Sequence, residues 1–261
     1  MRGRHIAVVS ILLAASACAS STPITGPNPA ATITVFAASS LTGAFTQIGK
    51  DFQAANPGTT VTFNFGPSDG LAGQIESEGT ADVFASASTT WMDSVSTKVG
   101  VSHLTQFATN RLVIITPPNN PAKITTIADL AKPGAQLILA APGVPVGDYA
   151  RQVLQNAGIA NAAEANVVSN EPDDVSLVTK VASGEADAAI VYLSDVTSSV
   201  APTVKRITIP AAINVTAVYP IAVVDGTPSA TMSAAFVAYV ASPQGQATLK
   251  TFGFLPPPAS P

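Results

Sequence analysis

The sequence contains few of the side chains on which disulfide formation, metal binding and much of catalysis depend. It has one cysteine, Cys18, and two histidines among 261 residues. A single cysteine cannot form a disulfide within the chain, so the folded part must be stable through its core alone. One cysteine and two histidines are also too few for the ligand set of a transition-metal site. We therefore expect no resident metal and no cofactor.

Histidine is also too scarce for the common nucleophilic enzymes. Beyond the N-terminal segment discussed below, only His103 remains, and it falls in a predicted surface loop. A Ser-His-Asp triad would have to be built around that one imidazole. The sequence also has no Walker-type phosphate loop and no EF-hand calcium pattern. These absences favour a binding protein over an enzyme.

Charged residues are sparse and mostly acidic. They make up 11% of the chain, against 47% hydrophobic residues. If residues 1–17 are removed, ten basic and sixteen acidic side chains remain, which is a net charge of −6. Nucleic-acid binding requires clustered Lys and Arg to neutralise phosphates. We therefore expect no nucleic-acid partner.

The N-terminus has the organisation of an export signal. Arg2 and Arg4 precede an apolar run over 6–13, and small residues then lead to Cys18. The apolar stretch is too short to span a bilayer core of roughly 30 Å at about 1.5 Å per residue. We interpret residues 1–17 as a signal peptide. The run Ala-Ser-Ala-Cys that ends at Cys18 resembles a bacterial lipobox, which predicts a lipidated Cys18; the alternative is cleavage after Ala-x-Ala and free secretion.

Residues 18–31 are rich in Ser, Thr, Ala and Pro, without charge or periodicity, and are typical of a flexible tether. Beyond them, short β-prone runs alternate with helical patterns in two successive blocks, which predicts an α/β fold. We expect two lobes, each a mostly parallel sheet flanked by helices, with a ligand cleft between them. The predicted boundaries are 32–109 for the first segment of lobe 1, 110–215 for lobe 2 and 216–261 for the return to lobe 1.

The last predicted strand, 216–224, contains Pro220. Proline cannot donate a ladder hydrogen bond, so it indicates an edge, a bulge or a crossing between lobes. We expect the chain to cross between the lobes near Asn110 and Tyr219, where hinge closure would act.

Small hydroxyl residues follow predicted strands in three separate runs, 36–41, 82–87 and 190–195. Ligands in α/β sheets bind at the carboxyl ends of strands. Hydroxyls and the amides of helix N-termini can bind a small anion there without a cationic side chain. The residues at such strand ends and helix starts are Ser39, Ser40, Ser68, Val146, Val175 and Tyr192.

These runs, taken in order, resemble the periplasmic molybdate-binding components of ABC transporters, which are type II solute-binding proteins. The similarity extends over nearly all of residues 32–255 and includes the segments 81–87, 144–147, 172–175 and 219–224. The resemblance implies capture of molybdate, and of tungstate, outside the cytoplasm and delivery to an ABC permease by a monomeric receptor. It implies that the oxyanion is bound by Ser40, Ser68, the amides of Val146 and Val175, and the phenol of Tyr192, with Ser39 less certain and no protein ligand on molybdenum itself.

Two alternatives remain open from the residues. The ligand could be another oxyanion, sulfate or phosphate, or the chain could be a surface lipoprotein of the same fold without a role in transport. Two departures from the family pattern bear on the choice: Ser39 replaces the more usual Ala, and Asp69 places a carboxylate beside Ser68. We expect Asp69 to point outward or to cap the following helix, because an ionised carboxylate would repel a dianion.

Overall fold

The computed structural model describes residues 31–259 of the chain. The predicted signal peptide 1–17, Cys18 and all but the last residue of the tether lie outside the described residues, as do residues 260 and 261. The strands are β1 (Ala31–Ala38), β2 (Thr59–Gly66), β3 (Val83–Ala85), β4 (Val101–Thr116), β5 (Leu137–Ala140), β6 (Val167–Glu171), β7 (Ala188–Tyr192), β8 (Lys205–Thr208) and β9 (Thr216–Val224).

Eight α-helices are interspersed with these strands within residues 31–259. They are α1 (Thr42–Ala55), α2 (Ser68–Glu78), α3 (Thr89–Lys98), α4 (Pro145–Asn156), α5 (Ala160–Glu164), α6 (Asp174–Ser183), α7 (Ala230–Ala241) and α8 (Pro243–Thr251). Short 3₁₀ turns at Ser39–Leu41 and Leu193–Asp195 follow β1 and β7 directly. In this part of the chain, no helix is both long enough and apolar enough to cross a membrane.

The strands form two groups of three parallel strands, joined by long antiparallel strands. In one group β1 pairs in parallel with β2 and β3, and in the other β5 pairs in parallel with β6 and β7. The sheet order is β2-β1-β3-β9-β4-β7-β5-β6, with β8 paired to β4. The α/β prediction is confirmed. We call the part built on β1–β3 lobe 1 and the part built on β5–β8 lobe 2.

Strands β4 and β9 connect the lobes. The first half of β4 pairs with β9, while its residues 112–115 pair with β7 in lobe 2. Ala108 lies opposite Tyr219 and Asn110 opposite Ala217, so Asn110 and Tyr219, the residues expected at the crossing, both lie where β4 and β9 pair, just before β4 begins to pair with β7. Pro220 lies opposite Gln106 next to a register shift, and its strand pairs on both sides. It therefore marks a bulge and a crossing, not an edge.

The sequence prediction was wrong for the first half of β4, which was not predicted as a strand, and for His103, which was predicted in a loop. His103 lies inside β4, exposed and with φ of 54°. Here the ladder shifts register between Ser102 and Thr105. Because a bulge interrupts the alternation of side chains between the two faces, the pattern that identifies a strand is lost at this position.

The two lobes have different cores. In lobe 1 the helix α1 buries Phe45 and Phe52 against Phe236 of α7, and the ring centroids of Phe52 and Phe236 are 5.3 Å apart. Lobe 2 buries mainly aliphatic side chains, among them Ile114 and Ile190 on neighbouring strands. The buried side chains of both lobes belong to one continuous cluster, which also includes residues of the connecting strands β4 and β9.

Candidate anion-binding site

A small cavity lies between the lobes, at the carboxyl ends of β1, β5 and β7. Its volume is about 10 Å³, which is roughly the space that one water requires. Both lobes contribute to its wall. The lining residues are Ser39, Ser40, Pro67, Ser68, Ala87, Val144, Pro145, Val146, Asp174 and Tyr192. The structure thus brings together five of the six sequence-predicted residues: Ser39, Ser40, Ser68, Val146 and Tyr192.

The hydroxyl of Ser40 is oriented by residues of the crossing strands. Its Oγ lies 3.1 Å from the phenol oxygen of Tyr219, which in turn accepts a hydrogen bond from Asn110 Nδ2 at 3.4 Å. The amide of Asn110 can only donate through its nitrogen. Either hydroxyl can be the donor of the bond between Ser40 and Tyr219; when Tyr219 donates, the Ser40 proton is free to point into the cavity.

The hydroxyl of Ser68 is oriented in the same sense by a backbone group. Ser68 is the first residue of α2 and is 1% exposed, and its Oγ accepts a hydrogen bond of 3.0 Å from the amide of Ala87. Pro67, not Ser68, is the N-cap, so the side chain is not used to cap its own helix. One lone pair is occupied and the proton can donate to a ligand.

Lobe 2 presents the start of α4 to the cavity. Pro145 occupies the first turn, where a missing amide proton costs nothing, and Val146 follows it, buried to 2% exposure. The amides of a first turn have no partner within the helix. A Cβ on Gly147 would lie 2.4 Å from the carbonyl oxygen of Ala140. Glycine at 147 therefore lets α4 begin directly against the end of β5, which holds the Val146 amide at the cavity.

Tyr192 closes β7 with its phenol in the cavity wall. The residue is 2% exposed, and its hydroxyl has no hydrogen-bond partner among the described residues. Burial, together with the neighbouring phenols of Tyr219 and Tyr149, raises the pKa of Tyr192 well above its ordinary value. The phenol therefore stays protonated as a neutral donor. A buried hydroxyl without a partner costs free energy, so this one indicates a ligand.

Val175 is the one predicted residue that the structure does not place at this cavity. It lines a larger, neighbouring cavity of about 250 Å³, together with Val178, Asp195 and others. Its side chain is 53% exposed, and it lies in the first turn of α6, whose N-cap Asp173 accepts the amide of Ser176. Ser39, Ser40 and Asp174 line both cavities, so the two cavities are neighbours. Val175 lines only the larger one, which we call the outer cavity.

The lobes touch each other on two sides of the inner cavity. Ser39 of lobe 1 donates a hydrogen bond from its Oγ to Asp174 of lobe 2. Trp91 of α3 donates from Nε1 to the carbonyl oxygen of Gly143 at 2.9 Å. These contacts, with the small cavity volume, describe a closed arrangement of the lobes. A ligand larger than a water must enter when the lobes are apart.

No cationic side chain faces the inner cavity. Of the described residues that line it, none is Lys, Arg or His. Asp69 is not part of the lining either; it lies half-buried in the first turn of α2, with Oδ1 buried and unpaired among residues 31–259. It neither faces fully outward nor caps the helix, so the expectation for it was only partly correct. No cluster of potential metal ligands was found in the described part of the chain.

Two features of the site were not recognised from the sequence. Tyr219 and Asn110 were expected only as hinge positions, yet they orient Ser40. Residues 66–70 also match the Gly-x-Ser-x-Gly pattern of a nucleophile elbow around Ser68. The single described histidine, His103, is exposed on β4 and does not line the cavity, so Ser68 has no imidazole base.

Asp174 is a further residue that the sequence analysis missed. It is 3% exposed, lines the cavity and binds Ser39 across the cleft. The sequence shows only two adjacent Asp residues before a helix, a pattern typical of capping. Asp173 does cap α6, whereas Asp174 turns inward. Nothing in the sequence distinguishes the two roles.

The fold is that of a two-lobed protein, and hydroxyls from both lobes and the start of α4 line the cavity between them. Residues 33–255 match the family model described as bacterial extracellular solute-binding protein. The chain belongs to this family of binding proteins, which act outside the cytoplasm.

Three known proteins illustrate the similarity. The "Molybdate-binding protein ModA" of Mycobacterium tuberculosis is 42% identical over 263 residues, which is 98% of each chain. The structure of the Azotobacter vinelandii periplasmic molybdate-binding protein superposes with a TM-score of 0.76 at 21% identity, covering 87% of this chain and 100% of that one. The sulfate-binding protein SubI of M. tuberculosis has a TM-score of 0.75 at 17% identity, covering 87% of each chain. The fold alone does not select the anion.

Proposed function

We propose that this protein binds molybdate, and tungstate as its close analogue, and delivers it to an ABC permease. The observation that carries the proposal is the inner cavity, where oriented hydroxyls of Ser40 and Ser68, an unpartnered phenol of Tyr192 and the start of α4 converge without a cation. The full-length similarity to a protein named for molybdate binding supports the choice of anion. The same groups bind tungstate, because the two anions share shape and charge.

The donor set suits an anion that carries no proton. A tetrahedral dianion offers only acceptors, and the Ser68 hydroxyl, which already accepts the amide of Ala87, has its proton free to donate to such an anion. Each hydrogen bond to a charged group contributes about 1.5 to 3 kcal/mol. Such bonds from Ser40, Ser68, Tyr192 and the amide of Val146, with the partial positive charge of the helix N-termini, support micromolar binding after ordering costs.

Two anions are the closest rivals. Hydrogen phosphate carries a proton and requires an acceptor in the cavity, whereas sulfate is proton-free but smaller than molybdate and would stretch the donor distances. Both anions are candidate ligands for this fold, and titration with each of them tests whether it binds. A surface lipoprotein without a transport role would bind none of the anions molybdate, tungstate, sulfate and phosphate.

Calorimetric titration of the purified protein with molybdate, tungstate, sulfate and phosphate tests the proposal. We expect molybdate and tungstate to bind tightly and the other two anions at least tenfold more weakly. At a ligand concentration of about 100 times Kd, binding stabilises the fold by about 2.7 kcal/mol and raises Tm by roughly 5 to 10 °C. Absence of binding and of any Tm shift with molybdate would overturn the function.

We also propose how the chain is exported and divided. Residues 1–17 act as a signal peptide, Cys18 is lipidated, and residues 18–31 tether a monomeric body to the membrane.

Lobe 1 comprises 32–109 and 216–261, and lobe 2 comprises 110–215. The division into lobes is supported by the run of β4, which pairs first with β9 and then with β7 of lobe 2.

Substitution of Cys18 tests the anchor. In cells, the wild-type protein should partition with membranes and incorporate a labelled fatty acid. Cys18→Ala should lose the label and appear in the soluble extracytoplasmic fraction. A wild-type protein that is soluble and unlabelled would instead indicate cleavage after Ala17 and free secretion.

A further inference from the structure

The inner and outer cavities share a wall to which both lobes contribute. Three residues line both cavities: Ser39, Ser40 and Asp174. Ser39 belongs to the 3₁₀ turn after β1 in lobe 1, and Asp174 begins α6 in lobe 2. The outer cavity also includes Val175, which is 53% exposed, so this cavity reaches the protein surface. The shared wall therefore lies between the anion cavity and the solvent.

A hydrogen bond across the cleft closes this wall. Ser39 donates from its Oγ to Oδ1 of Asp174. The backbone of Ser39 is held by Thr42, whose hydroxyl donates to the Ser39 carbonyl oxygen at 2.6 Å. Asp174 is 3% exposed and directly follows Asp173, whose side chain caps α6. Because Asp173 serves as the cap, the carboxyl of Asp174 is available to bind Ser39, and a buried carboxyl requires such a donor.

This bond changes the role expected for Ser39. A serine hydroxyl has one proton to donate. With the lobes closed, the proton of Ser39 goes to Asp174, so it is not available to an anion in the inner cavity. Ser68 differs in this respect, because its Oγ accepts the amide of Ala87 and its own proton stays free. The sequence predicted both serines as anion contacts, but the geometry supports that role for Ser68 and a contact between the lobes for Ser39.

We propose that Ser39 and Asp174 form a latch that holds the lobes closed and slows release of the anion, with Ser39 acting on Asp174 and not on the anion. This inference rests on the oxyanion function proposed above. The two residues belong to different lobes, so their bond forms only when the start of α6 approaches the turn after β1. When the lobes open, both groups bind water instead.

A latch of this kind affects the two rates of binding differently. The anion enters the open form, in which the bond between Ser39 and Asp174 is absent, so the association rate does not depend on it. Release requires the closed form to open, and opening breaks the bond. Ser39 and Asp174 are therefore positioning residues, and their loss should appear in the dissociation rate of the anion.

Stopped-flow mixing of the purified protein with molybdate tests the latch. Trp91 is the single tryptophan of the chain and donates a hydrogen bond across the cleft, so its fluorescence reports closure. The traces give the association rate and calorimetry gives Kd, from which the dissociation rate follows. Ser39→Ala should keep the association rate within about twofold and raise the dissociation rate about tenfold or more, as expected for a lost hydrogen bond to a charged group. An unchanged dissociation rate would overturn the inference.

Ser94→Ala is the matched control. Ser94 is half-buried, as Ser39 is, and donates from its Oγ to the carboxylate of Glu76 at 2.7 Å. Both residues of this pair lie in lobe 1, on α3 and α2, so the variant loses the same kind of hydrogen bond without a contact between the lobes. Its dissociation rate should stay within about twofold of wild type. A rise equal to that of Ser39→Ala would show a general effect of stability and would overturn the latch.

A double-mutant cycle distinguishes a latch from an anion contact. Asp174→Ala removes the acceptor of the latch and also a carboxyl beside the anion, so the comparison is the effect of Ser39→Ala in each background. Ser39→Ala should raise the dissociation rate in the wild-type background, but by less than about twofold when Asp174→Ala is present. An equal rise in both backgrounds would mean that Ser39 donates to the anion itself, and would overturn the inference.

If Asp174→Ala does not fold, Asp174→Asn takes its place in the cycle, because its amide oxygen still accepts a hydrogen bond but carries no charge. Ser39→Ala should then raise the dissociation rate by less than it does in the wild-type background, and an equal rise would overturn the latch. Absence of molybdate binding by the wild-type protein would overturn the proposed function, and the latch with it. Unchanged rates in variants that bind molybdate would overturn the latch alone.

Discussion

The two lobes approach the candidate site with different kinds of donor. Lobe 1 contributes side-chain hydroxyls, those of Ser40 and Ser68, which are oriented by Tyr219 and by the amide of Ala87. Lobe 2 contributes the start of α4 at Val146 and a phenol that has no protein partner among the described residues. The hydroxyls depend on the identity of a side chain, while the helix start depends on the path of the backbone.

This difference predicts where each lobe is sensitive to substitution. A side-chain donor is lost when its residue is replaced, but a backbone amide survives any replacement that leaves the helix in place. In lobe 2 the sensitive positions are therefore Tyr192, which donates through its phenol, and those that determine the backbone path of α4, of which Gly147 is the clearest. The predictions below test this contrast, from the largest expected effect to the smallest.

The largest loss of affinity is expected from removing the hydroxyls of lobe 1. Ser68→Ala removes a donor to a buried charge and also leaves the amide of Ala87 without its acceptor. At about 1.5 to 3 kcal/mol for a hydrogen bond to a charged group, molybdate binding should weaken by about 10- to 100-fold. Ser40→Ala should weaken it at least about tenfold for the same reason. Calorimetric titration measures both, and an unchanged Kd in both variants would refute the site.

In lobe 2 we expect a comparable loss from a substitution that removes no donor. Gly147→Ala places a Cβ 2.4 Å from the carbonyl oxygen of Ala140, so the start of α4 must shift away from the cavity. Affinity for molybdate should fall by about tenfold, because the donor geometry is lost. Gly73→Ala in α2 is the control, since a Cβ there meets no atom within 4 Å. A Gly147→Ala protein with wild-type affinity would contradict the dependence on the backbone path.

A smaller effect is expected at the contact between the lobes. Trp91→Phe keeps an aromatic ring but removes the hydrogen bond from Nε1 to the carbonyl oxygen of Gly143. A neutral hydrogen bond contributes about 0.5 to 1.5 kcal/mol, so molybdate affinity should fall by about 2- to 10-fold if the bond forms only on closure. Dissociation rates measured by stopped flow should rise by the same factor. An unchanged dissociation rate would show that this bond does not contribute to holding the lobes closed.

The smallest effect is expected at Val146. Val146→Ala shortens a buried side chain but leaves the amide of the first turn of α4 in place. Because the buried side chain becomes smaller, the free energy of unfolding should fall by at least about 0.5 to 1.5 kcal/mol. Its affinity for molybdate should stay within about twofold of wild type. A loss of molybdate affinity above tenfold would mean that the start of α4 in lobe 2 also depends on side-chain identity, and the contrast between the lobes would fail.

Most of the fold could be predicted because its elements are short and strongly patterned. The helical spacing of Phe45, Ile48 and Phe52 identifies α1, and alternating apolar residues identify β2. Two elements escaped prediction. The first half of β4 lacks regular alternation at its bulges, and α5 (Ala160–Glu164) is one short turn of small residues without an apolar stripe. In both elements, tertiary contacts stabilise a conformation that the local sequence does not favour.

The site could be predicted only in part, since the prediction used strand ends and helix starts and could not use distances. Ser40, Ser68, Val146 and Tyr192 lie around one cavity, and Val175 lies at the neighbouring one. Their roles as ligand contacts stay predictions. The inward turn of Asp174 and its contact with Ser39 come from how α6 packs against the turn after β1. No local pattern distinguishes such a carboxyl from a helix cap.

The order of strands and helices, the scarcity of cysteine, histidine and positive charge, and the hydroxyls at strand ends are properties of the sequence itself. They determined the α/β class and argued against a nucleic-acid partner, because spacing is a local property and composition an additive one. The convergence of Ser40 and Ser68 with Val146 and Tyr192, and the inward turn of Asp174 beside them, were decided only by the tertiary structure. Those features depend on distances across the cleft between residues up to 152 positions apart, from Ser40 to Tyr192, which no local pattern encodes.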